Sequence, residues 1–324
     1  MKAHRLMSSL PEAMASNTEN FDLAIGWLWE FDEGFVLALE REAQTHRKLS
    51  TFQIHTFNIE EILDRVRKKE LHFRLFLDRG FDIDPRFEQL GKLIVRHGGA
   101  VVNSYDRTIE AIDKATMHLQ FITAGLYVPF TIIISPYAHR KEVELSIADL
   151  AHLGRPFIIK PANTTGGGIG VVMGAETLAD IIEARKEFGE DKYLLQERID
   201  PREIEGRRCW FRCFFVFDKV FLAWWDDRTH IYQPVTSDEE HYYKLRPLRM
   251  IMRTIANISG LHFFSSEIAL RQATPYEQSR FIVIDYVNDM CDMRSQLHAT
   301  DGIAMPLWNG IISRLALQAK KSKP

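Results

Sequence analysis

The stretch Arg155-Pro156-Phe157-Ile158-Ile159-Lys160-Pro161-Ala162-Asn163-Thr164-Thr165-Gly166-Gly167-Gly168-Ile169-Gly170 decides how the chain is read. A short apolar run ends in Lys160 and Pro161, a loop with four glycines follows, and a second apolar run, Ile169 to Met173, comes next. That order predicts strand, loop, strand. Glycines let a backbone approach a ligand closely and turn its amide hydrogens on an anion, and a lysine adds a point charge beside them. A nucleotide phosphate is the ligand that fits. The P-loop is excluded, because Gly170 is followed by Val171 and Val172 rather than by Lys and Ser or Thr. The dinucleotide motif is excluded as well, since its third glycine would fall at Val171 and its loop must open a helix. An inert hairpin turn is the bland alternative, but a glycine cluster of this length is costly in backbone entropy.

Composition sets the frame. With 324 residues the chain has room for two or more domains, and 46% hydrophobic with 26% charged residues is ordinary globular usage. A net charge of -3 without any long Lys/Arg block argues against a nucleic-acid partner. Arg246, Arg249 and Arg253 read as a solvated helix face. Cys209, Cys213 and Cys291 support neither a disulfide framework nor a CxxC metal pair, so a reducing cytoplasm is expected, with Cys209 and Cys213 as buried small hydrophobes. No apolar run reaches membrane-spanning length, which leaves no membrane partner, and the polar start to Asn20 reads as a flexible tail.

From residue 21 the chain alternates. Strands are expected at 22–28, 51–55, 72–77 and 100–102, and helices at 33–47, 59–69 and 86–97. That alternation implies a largely parallel sheet with helices on its faces. One long helix is expected over 105–124, ended by Gly125 and Pro129, then a β-branched strand at 131–134 and a short helix at 146–153. Beyond the glycine loop, 176–188 reads as an amphipathic helix whose buried face takes Leu178, Ile181, Ile182 and Phe188. Strands follow at 193–199, 209–217 and 220–225, the last two flanking an Asp218-Lys219 turn. A helix at 247–258, strands at 263–271 and 281–287, and an amphipathic helix at 303–317 complete the pattern. Trp224, Trp225 and Trp308 are most simply core.

Phosphoryl transfer calls for a divalent cation that neutralises the moving oxygens, and magnesium takes one or two carboxylates plus waters and phosphates. Glu267 inside one C-terminal strand, Asp285 inside the next and Asn288 at its end supply such groups. Acidic residues in apolar strands are costly to bury unless paired or metal-bound, so the alternative is an ion pair with Arg212 or Arg294.

These pieces resemble, in order, those of the ATP-grasp superfamily, in the style of glutathione synthetase and the ribosomal-protein glutamate ligases. The resemblance covers about 98–288. It implies an α/β fold of α+β lobes: a pre-ATP-grasp domain at 21–104, then an ATP-grasp domain at 105–318 with a lid lobe at about 129–195 and a C-terminal lobe at about 196–318. It implies ATP and magnesium as cofactors. Lys114, Lys160 and the loop residues Thr165, Gly166, Gly167 and Gly168 would hold phosphates, and Gln196, Glu197, Arg198 and Ile199 the adenine. Glu203 or Glu205 would hold the ribose, Arg212 would steady the transferred phosphate, and Glu267, Asp285 and Asn288 would bind magnesium. One departure stands out: the family separates its last carboxylate and asparagine by one residue, whereas Asp285-Tyr286-Val287-Asn288 separates them by two. On a regular strand these side chains would face opposite sides, and a bulge or an early strand end would reunite them.

The activity implied is an ATP-dependent carboxylate-amine (or thiol) ligase working through an acylphosphate, releasing ADP and phosphate. Small-molecule or peptide carboxylates and amines would be its substrates, and a homodimer is a family-level expectation. Arg294 would grip a substrate carboxylate or form a structural salt bridge. His230, His241 and Tyr242 would border an acceptor pocket or be solvated bystanders. The alternatives kept open are a small-molecule kinase on the same fold and a non-catalytic ATP-binding regulatory or assembly protein.

Overall fold

The computed structural model describes residues 18–163, 168–273 and 278–321; Thr164, Thr165, Gly166 and Gly167 of the glycine loop lie outside them. Strands β1 (Glu19–Trp27), β2 (Thr51–Ile54), β3 (Leu71–Arg79) and β4 (Ala100–Val102) form an all-parallel sheet in the order β2-β1-β3-β4. The expected tail therefore overruns, since Asn20 is already in β1. Helices α1 (Glu33–Arg41), α2 (Ile59–Arg67) and α3 (Pro85–Arg96) cover its faces. Asp84 caps α3 by accepting from the Arg86 amide at 3.0 Å, with Pro85 in the first turn where its missing N–H costs nothing.

The helix expected over 105–124 is two helices, α4 (Tyr105–Ile112) and α5 (Lys114–Thr123). Asp113 sits between them in extended backbone and accepts from the amides of Ala115 and Thr116, so its carboxylate starts a new helix rather than continuing the old one. A second, antiparallel sheet follows in the order β5-β8-β6-β7, from β5 (Thr131–Ile134), β6 (Phe157–Pro161), β7 (Val172–Ala175) and β8 (Tyr193–Gln196). Helices α6 (Ile147–Leu153) and α7 (Leu178–Glu187) each begin with a reciprocal capping box, Ser146 with Asp149 and Thr177 with Asp180. Of the four residues expected on the buried face, Ile181 is buried and Phe188 half-buried, but Leu178 and Ile182 are 45% and 37% exposed, because no described element covers that side.

The third sheet is antiparallel in the order β13-β12-β11-β14-β15. A small hairpin, β9 (Glu203–Ile204) with β10 (Arg207–Arg208), leads into β11 (Trp210–Val216), β12 (Lys219–Trp225), β13 (Tyr232–Pro234), β14 (Phe263–Leu270) and β15 (Phe281–Asn288). Because Val216 pairs with Lys219, the β11–β12 turn is Phe217-Asp218, one residue earlier than expected. Helices α8 (Ser237–Tyr242), α9 (Arg246–Ser259) and α10 (Met305–Lys321) complete the chain. Arg246 and Arg253 are exposed as expected, but Arg249 is not simply solvated: it makes a two-armed ion pair with Glu240 and donates to the Val220 carbonyl at 2.6 Å. Cys209, Cys213 and Cys291 are free and buried, and Trp224 and Trp308 are core.

One hydrophobic cluster joins the first sheet to the third. Leu23, Ile25, Phe35 and Leu39 meet Phe214, Ala223 and Phe263 through Trp308, Ile311, Ile312 and Leu315 of α10. Ile311 is fully buried in that wedge. Ile311→Ala is expected to cost about 2–5 kcal/mol, from lost transfer energy plus the cavity left behind. Because the cluster spans both regions, tryptophan fluorescence and far-UV circular dichroism should report coincident guanidinium transitions in wild type and variant alike.

Candidate active site

Residues from three elements meet on one side of the third sheet. Register places Arg212 of β11 opposite Glu267 of β14, and Glu267 opposite Asp285 of β15. Ser265, two residues before Glu267, pairs with Asn288, three residues after Asp285. The extra residue in β15 is a bulge at Tyr286-Val287, and it returns Asn288 to the face that carries Asp285. Both are partly buried, while Tyr286 and Val287 are buried on the other side. The condition that the irregular spacing set is thus met.

Glu267 is gripped by two donors, Arg212 Nη1 at 2.5 Å on Oε1 and Trp210 Nε1 at 3.1 Å on Oε2. Arg212 is thus the ion-pair partner of Glu267. Arg294 has other partners, Asp292 at 2.6 Å and Asp301 at 3.0 Å. Asp285 forms no ion pair within 4.0 Å among the described residues, but it feels Lys114, Lys160 and Arg212.

The second sheet supplies the opposing wall. Pairing puts Thr131, Ile158, Lys160, Leu194 and Gln196 on one face. Lys160 reaches across to donate to the Ile284 carbonyl at 3.1 Å, and its ammonium lies 5.2 Å from the centre of the Tyr286 ring. Lys114 opens α5, its amide donating to the Ala162 carbonyl at 3.1 Å just beyond β6. Asp113 anchors this junction through Lys192 at 2.6 Å. Gly168 and Gly170 have positive φ values of 79° and 74°, and a Cβ on Gly170 would meet the Phe188 ring at 2.5 Å, so the end of the loop demands glycine twice over.

At the end of β8, Gln196 is buried with its Nε2 on Thr131 and Tyr286. The Glu197 side chain is used structurally, accepting from the Phe130 amide at 2.7 Å and pairing with Arg271. Arg198 pairs with Asp200 at 3.3 Å, and Ile199 is buried in a cluster with Trp210, Ile282 and Ile284 beside Glu267. Glu203 is exposed on β9, while Glu205 occupies the tight turn with Gly206, both at positive φ. His230 stacks on Trp225 at 5.1 Å, and His241 and Tyr242 are exposed on α8. A recess of about 550 Å³ beside Asp180, Glu183 and Glu187 lies on the outer side of α7 and contains none of the site groups.

The electrostatics follow from burial. Burial first, then the neighbouring Lys114, push the Lys160 ammonium down to about 8, against the pull of Asp285 and Glu267. Burial would raise Asp285, but Lys114, Lys160 and Arg212 outweigh it and hold the carboxylate below its usual range. Burial raises Glu267 despite Arg212, since Asp285 adds a like charge. Two carboxylates and three cations thus share one cleft.

No protein-family model matches the chain, and no curated protein matches its sequence. Solved structures do match. D-alanine–D-alanine ligase from Bacillus anthracis, complexed with ATP, aligns over 93% of this chain and 98% of its own at 14% identity and a TM-score of 0.59. A RimK domain ATP-grasp protein from Sphaerobacter thermophilus aligns over 93% and 99% at 19% identity and 0.58. This chain has the ATP-grasp fold. The ATP-grasp ligase PsnB, bound to the precursor peptide PsnA2 and AMPPNP, is a further neighbour, with 13% identity, a TM-score of 0.56 and coverage of 93% and 98%. The ATP-grasp architecture agrees with the sequence resemblance. Tyr286, His118, Thr131 and Trp210, which brace the site residues, carried no motif that would have singled them out.

Lys160 supplies a test whose sign can be worked out. Its folded pKa, about 8, lies below the ordinary 10.5, so between those values the unfolded chain binds more protons and stability rises with pH. The cost of burying the charge is fully present below about 8. Lys160→Met is therefore expected to stabilise the unliganded protein at pH 7 by on the order of 2–3 kcal/mol, a gain that shrinks toward pH 10. Urea denaturation at the two pH values reads the difference.

Proposed function

We propose that the protein is a magnesium-dependent ligase that joins a carboxylate to an amine at the expense of ATP, releasing ADP and phosphate. The observation that carries this reading is the bulge in β15, which sets Asp285 and Asn288 side by side opposite Glu267 and Ser265, facing Lys160. Among the described residues no group of three His, Cys, Asp or Glu side chains forms a metal cage. Two carboxylates and an amide fit magnesium better than an all-protein cage would, because that ion keeps positions for phosphate oxygens and water. Asp285, Glu267 and Asn288 would hold it, and when bound it would neutralise charge on the phosphate oxygens during transfer.

The chain's own groups divide the remaining work. Lys114 and Lys160 bind the phosphates, and Gly168 with the rest of the glycine loop closes over them and keeps water from the reactive anhydride. Gln196 and the backbone of Arg198 and Ile199 hold the adenine, with Glu203 or Glu205 toward the ribose. A substrate carboxylate oxygen attacks the γ-phosphorus and the bond to the ADP oxygen breaks. Arg212, held in place by Glu267, stabilises charge on the transferred phosphoryl group. The amine nitrogen of the second substrate then attacks the acyl carbon, phosphate leaves, and the nitrogen gives up a proton. No nucleophilic side chain is needed. The precursor peptide named with PsnB supports a peptide among the substrates.

The decisive assay offers magnesium-ATP with mixed pools of carboxylates and amines, follows ADP release, and identifies the product by mass. A condensed product with phosphate release is expected, and phosphate found on the acceptor would replace the ligase by a kinase. Asp285→Asn should cut turnover roughly 10²–10³-fold, the scale for removing one element of transition-state charge stabilisation. Turnover that survives this change undiminished would remove Asp285 from the metal site.

A further inference from the structure

Gln196 sits in a network that favours one orientation of its amide. The side chain is 1% exposed, and Nε2 donates to Thr131 Oγ1 at 3.0 Å and to Tyr286 Oη at 3.2 Å. Which end of an amide is nitrogen has to be derived from its partners. Thr131 favours one assignment: with its hydroxyl proton on the Pro129 carbonyl at 2.9 Å, Oγ1 is left to accept from Gln196. Tyr286 agrees. Its hydroxyl lies 2.6 Å from His118 Nδ1, inside a pocket that also holds Phe121. Burial, helped by the charge on Lys160, pushes His118 down to about 4, so at neutral pH Nδ1 can accept a hydrogen bond from the tyrosine hydroxyl. The Tyr286 oxygen is then free to accept from Gln196. Both Nε2 protons are consumed, and Oε1 has no partner among the described residues.

We infer that Tyr286, oriented by His118, is a positioning residue that sets the choice of nucleobase: it fixes Gln196 as a pure acceptor, which pairs with the exocyclic amine of a 6-aminopurine and opposes the C6 oxygen of a 6-oxopurine. The inference rests on the proposed placement of Gln196 against the base. Without the tyrosine hydroxyl only Thr131 resists a flip of the amide, and the Thr131 hydroxyl can rotate to donate instead. A flipped amide offers N–H to a C6 oxygen, so rejection of the oxopurine weakens.

The test compares equilibrium binding of ATP and inosine triphosphate, which differ at C6 and in the proton on N1. Wild type should favour ATP by at least about 100-fold, the discrimination expected of a buried hydrogen-bonding site. Tyr286→Phe keeps the ring packed on Phe121 and should narrow that ratio about tenfold, chiefly by tightening the inosine nucleotide. Tyr286→Phe combined with Thr131→Val should narrow it further. A purely structural role would weaken both nucleotides together and leave the ratio alone, which would overturn the inference, as would a wild type that binds both equally. A wild type that binds neither removes the nucleotide reading, and this inference with it.

Discussion

Taking charge out of water is the constraint around which the cleft is built. Lys160, Arg212, Glu267 and Asp285 are each largely removed from solvent, and an isolated charge so placed would neutralise or unfold its surroundings. Each is tolerated because the others are near: Arg212 against Glu267, and Lys114 and Lys160 against Asp285. The arrangement is a poor way to gain stability, since buried ion pairs are often matched by apolar residues of the same volume. It is a good way to hold fixed charges ready for a polyanion, whose arrival adds opposite charge to the side rich in cations.

Geometry at this spot depends on parts far from it. The bulge in β15 aligns Asp285 with Asn288, and the strand's far side is fastened by Tyr286 to α5 and the second sheet. Just past Asn288 the chain is tied to the first sheet, because Arg79 makes a two-armed buried ion pair with Asp32 and also donates to the Cys291 carbonyl at 3.1 Å. Asn103, at the end of β4, bonds the backbone of Phe263 in both directions at the start of β14. The first and second sheets therefore both touch the two acidic strands of the third.

Much of this was legible in the sequence where the signal was local. The lysine strand, the glycine loop's neighbours, the parallel first sheet and the buried cysteines follow from composition, periodicity and turn chemistry. Asp285 and Asn288 were legible only conditionally, since spacing states that a bulge is needed but not that one forms. The helix break at Asp113 was hidden by continuous apolar periodicity across it, although an aspartate three residues before Thr116 is a capping signal in its own right. The His118–Tyr286–Gln196 network and the Asp32–Arg79 pair join residues distant along the chain, and no pattern in one sequence brings such partners together. The exposure of Leu178 and Ile182 was missed because amphipathic periodicity assumes a core to face, and the small second lobe does not extend that far.

The wedge formed by α10 bears on how the chain is made. Leu23, Ile25, Phe35 and Leu39 leave the ribosome well ahead of Trp308, Ile311, Ile312 and Leu315, which complete their apolar wall. Synthesis runs at about 5–20 residues per second, so the first sheet waits on the order of tens of seconds with one side uncovered. The second lobe, whose core is drawn from 132–195 alone, faces no such delay. Vectorial synthesis therefore favours a nascent chain in which the second sheet, which carries Lys160, is built before the first sheet is covered.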